Sequence, residues 1–195
     1  MNQLSGQANN AEQKITYHLE MASRQELRPS TRTAAELDVR RVEIPSPELN
    51  WFLHQLVGHN FRWGGREGWG HREWTAYVER PELETWVAYV AGTPAGYYEL
   101  EKQQDGSVRI ECFGLHGPFI GRGLGGPLLT RAVERCWEMG TNRVWLNTCS
   151  HDHPHALQNY LARGFRLVRE SVGPPNPQTQ SVIFQSGQRM PETAP

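Results

Sequence analysis

Short β-rich apolar runs closed by turn residues set the rhythm of the middle of the chain. Thr85-Trp86-Val87-Ala88-Tyr89-Val90 is a β-rich run closed by Ala91-Gly92-Thr93-Pro94, which predicts a strand and then a turn. Residues 95–102 predict a second strand, Gln103-Gln104-Asp105-Gly106 a turn with Asp-Gly at its tip, and residues 107–115 a third strand, together an antiparallel meander. The rhythm then changes. Leu128, Leu129, Ala132, Val133 and Cys136 recur at helical spacing, Arg131, Glu134, Arg135 and Glu138 fill the opposite face, and Gly140 supplies a stop. A strand over 143–148, a helix over 154–163 capped by Asp152 or His153, and a strand over 165–170 follow. This order of strands and helices implies parallel pairing.

Upstream, residues 39–44 predict a strand, 47–57 a helix and 70–78 a second short helix. Between the helices, Phe61-Arg62-Trp63-Gly64-Gly65-Arg66-Glu67-Gly68-Trp69-Gly70 carries too much glycine for a regular element, yet holds three large aromatics. It reads equally as a loop folded over the core and as a substrate-pocket wall. Residues 1–14 and 173–195 have tail compositions, polar at the front and Gly-Pro-Pro-Asn-Pro at the back, with an edge strand expected at 181–184. The remainder, 15–172, shows no repeat or linker and is expected to be one domain.

Composition narrows the function classes. With 195 residues and 37% hydrophobic content, one substantial core can form. Twenty basic against 21 acidic side chains leave no basic excess for phosphates, so nucleic acid is not an expected partner. Cys112, Cys136 and Cys149 are odd in number and widely spaced, which fits a reducing compartment better than a disulfide framework. No apolar run approaches the roughly 20 residues of a membrane span. A soluble, cytoplasmic protein is expected, with no membrane partner and a homodimer left open.

Phe119-Ile120-Gly121-Arg122-Gly123-Leu124-Gly125-Gly126 places four glycines within six residues at the start of the predicted helix. Unpaired amides and the helix dipole favour an anion there, and a pyrophosphate fits. A flexible turn or tight helix packing is the plainer reading of such a cluster. No Lys-Ser or Lys-Thr follows the last glycine, so it is not a P-loop, and the preceding antiparallel meander is wrong for a dinucleotide-binding βαβ unit.

Ile120-Gly121-Arg122-Gly123-Leu124-Gly125 and, downstream, His153, Ala156, Tyr160, Gly164 and Phe165 resemble two motifs of the GNAT N-acetyltransferase superfamily. The first motif runs Gln or Arg, two residues, Gly, one residue, Gly or Ala, and is matched at Gly123 and Gly125 but not at Ile120. The second runs Asn, two residues, Ala, three residues, Tyr, three residues, Gly-Phe, and only the Asn is changed, to His153. The resemblance covers roughly 85–170, with 15–84 as the variable substrate half. It implies an α/β (α+β) fold: a mixed sheet with an antiparallel N-terminal meander and a central parallel strand pair, flanked by helices.

The resemblance also implies acetyl-CoA as cosubstrate. Its pyrophosphate would lie on the amides of Gly121, Arg122, Gly123, Leu124, Gly125 and Gly126, through backbone rather than side chain because of Ile120. The pantetheine arm would lie beside the strand ending at Leu115 and His116, with the Leu115 N–H polarising the thioester carbonyl and His153 touching CoA. The acceptor would be a small-molecule or peptide amine.

Amine attack on a thioester needs a neutral nucleophile and a proton for the departing thiolate. By resemblance Tyr160 supplies that proton; the plainer reading is a core tyrosine on an apolar stripe. Glu111, on the strand face shared with Phe113 and Leu115, is the candidate base, with Glu99 and Glu101 competing. Many members of the superfamily move this proton through water. His151-Asp152-His153-Pro154-His155 reads as a capping loop rather than a metal site, because successive residues point in different directions. The cysteines read as packing residues. The rival to an enzyme is an inactive acyl-CoA or small-ligand binding module on the same fold, kept in view by Ile120 and His153.

Overall fold

The computed structural model describes residues 13–61 and 63–173. Strands β3 (Leu83–Val90), β4 (Thr93–Lys102) and β5 (Val108–Leu115) form the expected antiparallel meander. Its first hairpin closes through Ala91 and Gly92, whose φ values of 49° and 80° give the primed turn that matches strand twist. On the outer side β2 (Leu37–Arg41) pairs with β3. It stops short of the expected 44, and Ile44 is 82% exposed. Helix α1 (Pro47–Gly58) is capped by Ser46, whose Oγ accepts from Leu49 N, and α2 (His71–Val78) starts where Glu73 accepts from Gly70 N. Helix α1 packs on one face of the meander, where Leu53, Val57, Val87, Tyr97 and Cys112 form a buried cluster, and α2 packs against α1.

Helix α3 (Gly125–Glu138) buries Leu128, Leu129, Ala132, Val133 and Cys136, the stripe its periodicity predicts. These residues join Tyr98, Leu100, Ile110 and Tyr160 in the main core on the other face. Strand β6 (Val144–Cys149) runs parallel to β5, the central parallel pair, but the two are matched only at Val108↔Val144 and Arg109↔Trp145. Beyond Arg109 the strands separate, and that gap positions the site.

The end of the sheet differs from the expectation. Strand β7 (Arg166–Gly173) does not pair with β6, because β1 (Lys14–Met21) lies between them, antiparallel to both, in the order β2-β3-β4-β5-β6-β1-β7. Leu19 and Met21 of β1 are fully buried and Tyr17 packs beside them, so the insertion completes the core. β1 begins one residue inside the expected tail, and β7 runs past 170 to Gly173. The edge strand expected at 181–184 lies outside the described residues. Helix α4 (Ala156–Ala162) is shorter than 154–163 and begins after His155. Asp152 instead ties the preceding turn, accepting from Thr148 Oγ1 and Cys149 N. Among the described residues no helix is long and apolar enough to cross a membrane.

Candidate active site

A cleft of about 540 Å³ opens where β5 and β6 part. One wall is Arg109–Leu115 of β5, the other Leu146–Cys149 of β6, and the floor is Tyr160, Ala156 and Asn159 of α4. At one end lies the glycine loop, and at the other Phe61, Trp63, Gly64, Arg66 and His54.

The loop follows a short 3-10 turn (Gly117–Phe119) and is bent by positive φ at Gly121 (81°) and Gly123 (80°), a conformation that a side chain would strain. The first helical hydrogen bond of α3 is Leu128 N to Leu124 O. The amides of Gly121, Arg122, Gly123, Leu124, Gly125 and Gly126 donate no hydrogen bond among the described residues. Five of the loop residues, Gly121, Gly123, Leu124, Gly125 and Gly126, line the cleft. Such a set of free donors at the positive end of a 14-residue helix suits an anion. The donor set therefore fits the diphosphate of acetyl-CoA.

The end of β5 offers a further donor. His116 N bonds back to Ala95 O of β4, and because successive amides of a strand point to opposite sides, the Leu115 N–H points away from β4, into the gap. Leu115 itself lines the cleft, whereas His116 and Arg122 do not. The rings of His116 and Phe119 lie 6.0 Å apart, and the Arg122 guanidinium sits 5.2 Å from the Phe119 centroid. His153 faces the cleft with its ring edge-on to Phe61 at 5.7 Å, joining the two helical banks.

Tyr160 lies in the cleft floor, 7% exposed, with its ring against Phe113 (5.9 Å) and Phe165 (6.1 Å). Its hydroxyl has no hydrogen-bond partner among the described residues. Burial, reinforced by the Asp152 charge, raises the phenol above its usual value, so it stays protonated.

The three candidate carboxylates separate cleanly. Glu99 is fully buried and spoken for: Arg66 Nη2 lies 2.7 Å from Oε2, the Tyr77 hydroxyl donates at 2.7 Å, and Asn50 Nδ2 donates to Oε1 at 2.8 Å. Burial pushes its carboxyl up, but Arg66 and these donors outweigh burial and hold it below the usual range. Glu101 pairs with Arg80 and lies off the cleft. Glu111 lines it. A bulge between Leu100↔Ile110 and Glu99↔Cys112 leaves Glu111 as the extra residue of β5. It breaks the alternation that put Glu111 on the face of Phe113 and Leu115. Its carboxylate instead reaches Arg109 Nη1 (2.8 Å) and Arg66 Nη2 (3.8 Å). Burial, helped by the Glu99 and Glu101 charges, raises it more than the two arginines lower it.

The aromatic stretch both packs over the core and lines the cleft. Trp69 packs on Trp74 (5.1 Å) and Tyr77 (5.3 Å), and Arg66 stacks on Tyr77 (4.2 Å) while gripping Glu99. This holds Phe61 and Trp63 as a cleft wall, with Trp63 fitted against Gly58 and Gly114. His54 lines the same end. Burial, then the Arg66 charge, lowers it to about 4, so it is neutral at pH 7. Cys149 reaches the cleft and Cys112 is buried beside it, and burial raises both thiols. Sequence reasoning missed Lys14 and Thr16 of β1, His54 and Arg109; the only signal for the first two was the alternation of Ile15, Tyr17, Leu19 and Met21.

The acetyltransferase (GNAT) family model matches residues 50–165, more than half of the chain. The chain belongs to that family. A mycothiol acetyltransferase of Corynebacterium aurimucosum is 34% identical over 86 residues, which are 43% of this chain and 28% of that protein. A GCN5-related N-acetyltransferase structure from Sphaerobacter thermophilus superimposes with a TM-score of 0.65 at 16% identity, over 82% of this chain and 50% of that one. A Bacillus subtilis acetyltransferase in complex with CoA gives 0.52 at 23% identity, over 67% and 76%. The chain thus spans about half or less of the first two.

Proposed function

We propose that this protein transfers an acetyl group from acetyl-CoA to a primary amine of a small molecule or peptide, by direct attack within a ternary complex. The observation that carries this reading is the row of free amides at Gly121–Gly126, opening onto the same cleft as the Leu115 N–H and Tyr160. When bound, acetyl-CoA supplies an acyl carbon activated by a thiolate leaving group. Leu115 N–H is suited to donate to the thioester oxygen, where negative charge grows during attack. Tyr160, buried and protonated, is suited to deliver a proton to the departing sulfur. Glu111, the cleft carboxylate with a raised proton affinity, is suited to accept the amine proton directly or through water. Raised thiols at Cys112 and Cys149 disfavour a thiolate nucleophile, which supports direct transfer over an acyl-enzyme. Phe61, Trp63 and neutral His54 form the acceptor end. Buried free thiols at Cys112 and Cys136 suit a reducing, cytoplasmic setting.

The test is release of free CoA from acetyl-CoA against a panel of primary amines, with Tyr160→Phe in parallel. A competent amine should release thiol, and the variant should lose about 10²-fold or more in kcat with little change in acetyl-CoA affinity. Binding of acetyl-CoA without thiol release by any amine would favour the inactive binding module. An unchanged kcat in Tyr160→Phe would remove the phenol from the acid role.

A further inference from the structure

Ile120 leaves the glycine loop without a polar side chain at the position where the family has Gln or Arg. Two guanidinium groups from elsewhere in the chain stand beside it. A Cβ built on Gly123 would overlap the Arg32 guanidinium, and one on Gly126 would come within 2.6 Å of Arg163 Nη1 and 3.1 Å of Ser30 Oγ.

Arg32 belongs to the segment joining β1 to β2, which is strapped across the start of α3 and the end of α4. Arg28 N donates to Arg163 O (3.0 Å) and Ser30 N to Thr130 Oγ1 (3.0 Å), while Thr130 Oγ1 donates to Gly126 O (3.0 Å). The strap lies outside the family match at 50–165. Gly164, with φ of 99°, passes so close to Glu26 O that any Cβ would collide, which fixes the strap against α4.

Among the described residues the two arginines are alike in lacking an anion. Arg66, Arg80, Arg109, Arg135 and Arg143 each sit on a carboxylate. Neither Arg32 nor Arg163 has one among the described residues, and Arg163 Nε is buried with no partner. Arg163 is part-buried and Arg32 exposed, and two guanidinium groups with free donors beside free amides suit a multivalent oxyanion.

We propose that Arg32 and Arg163 form a two-guanidinium clamp on the diphosphate of acetyl-CoA, replacing from the N-terminal strap and from the end of α4 the side-chain support that Ile120 lacks. The proposal rests on the acetyl-CoA reading of the loop. It makes the strap part of the donor site and Arg32 a binding residue outside the family's matched region.

The test is calorimetric titration of the full chain and of Arg32→Gln with acetyl-CoA, its 3′-dephospho form and S-acetylpantetheine, which lacks all phosphates. Arg32 is exposed, so its loss should leave the melting temperature unchanged. Arg32→Gln should weaken acetyl-CoA by about tenfold to a hundredfold. It should weaken the 3′-dephospho form equally and leave S-acetylpantetheine unaffected. Arg163→Lys, which keeps charge but loses the fork, should weaken the two phosphate-bearing ligands in the same pattern to a smaller degree. Unchanged acetyl-CoA affinity in Arg32→Gln overturns the clamp, as does a loss that vanishes with the 3′-dephospho ligand or persists with S-acetylpantetheine. If the unmodified chain binds no acetyl-CoA, the donor reading itself has failed, a result distinct from failure of Arg32 alone.

Discussion

Replacing Arg66 with Met strands a fully buried charge. Glu99 has no exposed surface, and Arg66 is its cationic partner at 2.7 Å, with Tyr77 and Asn50 supplying the remaining donors. Removing one member of such a pair costs about 3–5 kcal/mol, because the survivor is left desolvated. Arg66 also stacks on Tyr77, Trp74 and Trp69 at 4.2, 5.1 and 5.3 Å, and Met retains part of that packing. At roughly 2–4 °C per kcal/mol for a chain of this size, the melting temperature should fall by about 6–20 °C at pH 7.5.

The pH dependence carries the sign. In the parent, Glu99 is held below its unfolded value, so its contribution is present at pH 7 and is lost as pH falls through the folded pKa. Without Arg66, burial raises the carboxyl, and protonation relieves the penalty as pH falls toward 5. The gap between Arg66→Met and parent in urea unfolding should therefore narrow from pH 7.5 to pH 5, and Arg66→Met with Glu99→Gln should recover much of the loss. A destabilisation under about 1 kcal/mol, or a gap that widens on acidification, would refute the argument.

Two further outcomes follow from the site and the strap. Glu111→Gln should abolish the acidic limb of the kcat/KM profile, which in the parent falls with acid through a pKa above the ordinary carboxylate value because burial raises Glu111; an unchanged limb removes it from the base role. Gly164→Ala should destabilise by about 2 kcal/mol or more in chemical denaturation, since φ is 99° and the Glu26 carbonyl occupies the Cβ position, and a shift below 0.5 kcal/mol on that scale would contradict the close contact.

The meander, α3 and the glycine loop were readable from sequence because each is local: β-rich runs ended by Ala-Gly and Asp-Gly turns, and an apolar stripe after Gly126. The place of β1 was not. Ile15, Tyr17, Leu19 and Met21 alternate, yet no strand was expected there, and the insertion of β1 between β6 and β7 depends on pairing with residues more than 120 positions away. The base candidates show the same limit. Glu99, Glu101 and Glu111 are equivalent by alternation, and a one-residue bulge with an arginine from a loop over 30 residues upstream decides which one meets the cleft. Arg32 was silent for the same reason: nothing in its neighbourhood in sequence indicates that it lies over Gly123.

The central claim, that backbone amides of the loop hold acetyl-CoA, is tested most directly by amide chemical-shift mapping of the chain during acetyl-CoA titration. The account predicts that the largest shifts fall on Leu115, Gly121, Gly123, Gly125 and Gly126, saturating together. Saturable binding that leaves these amides unmoved would contradict it.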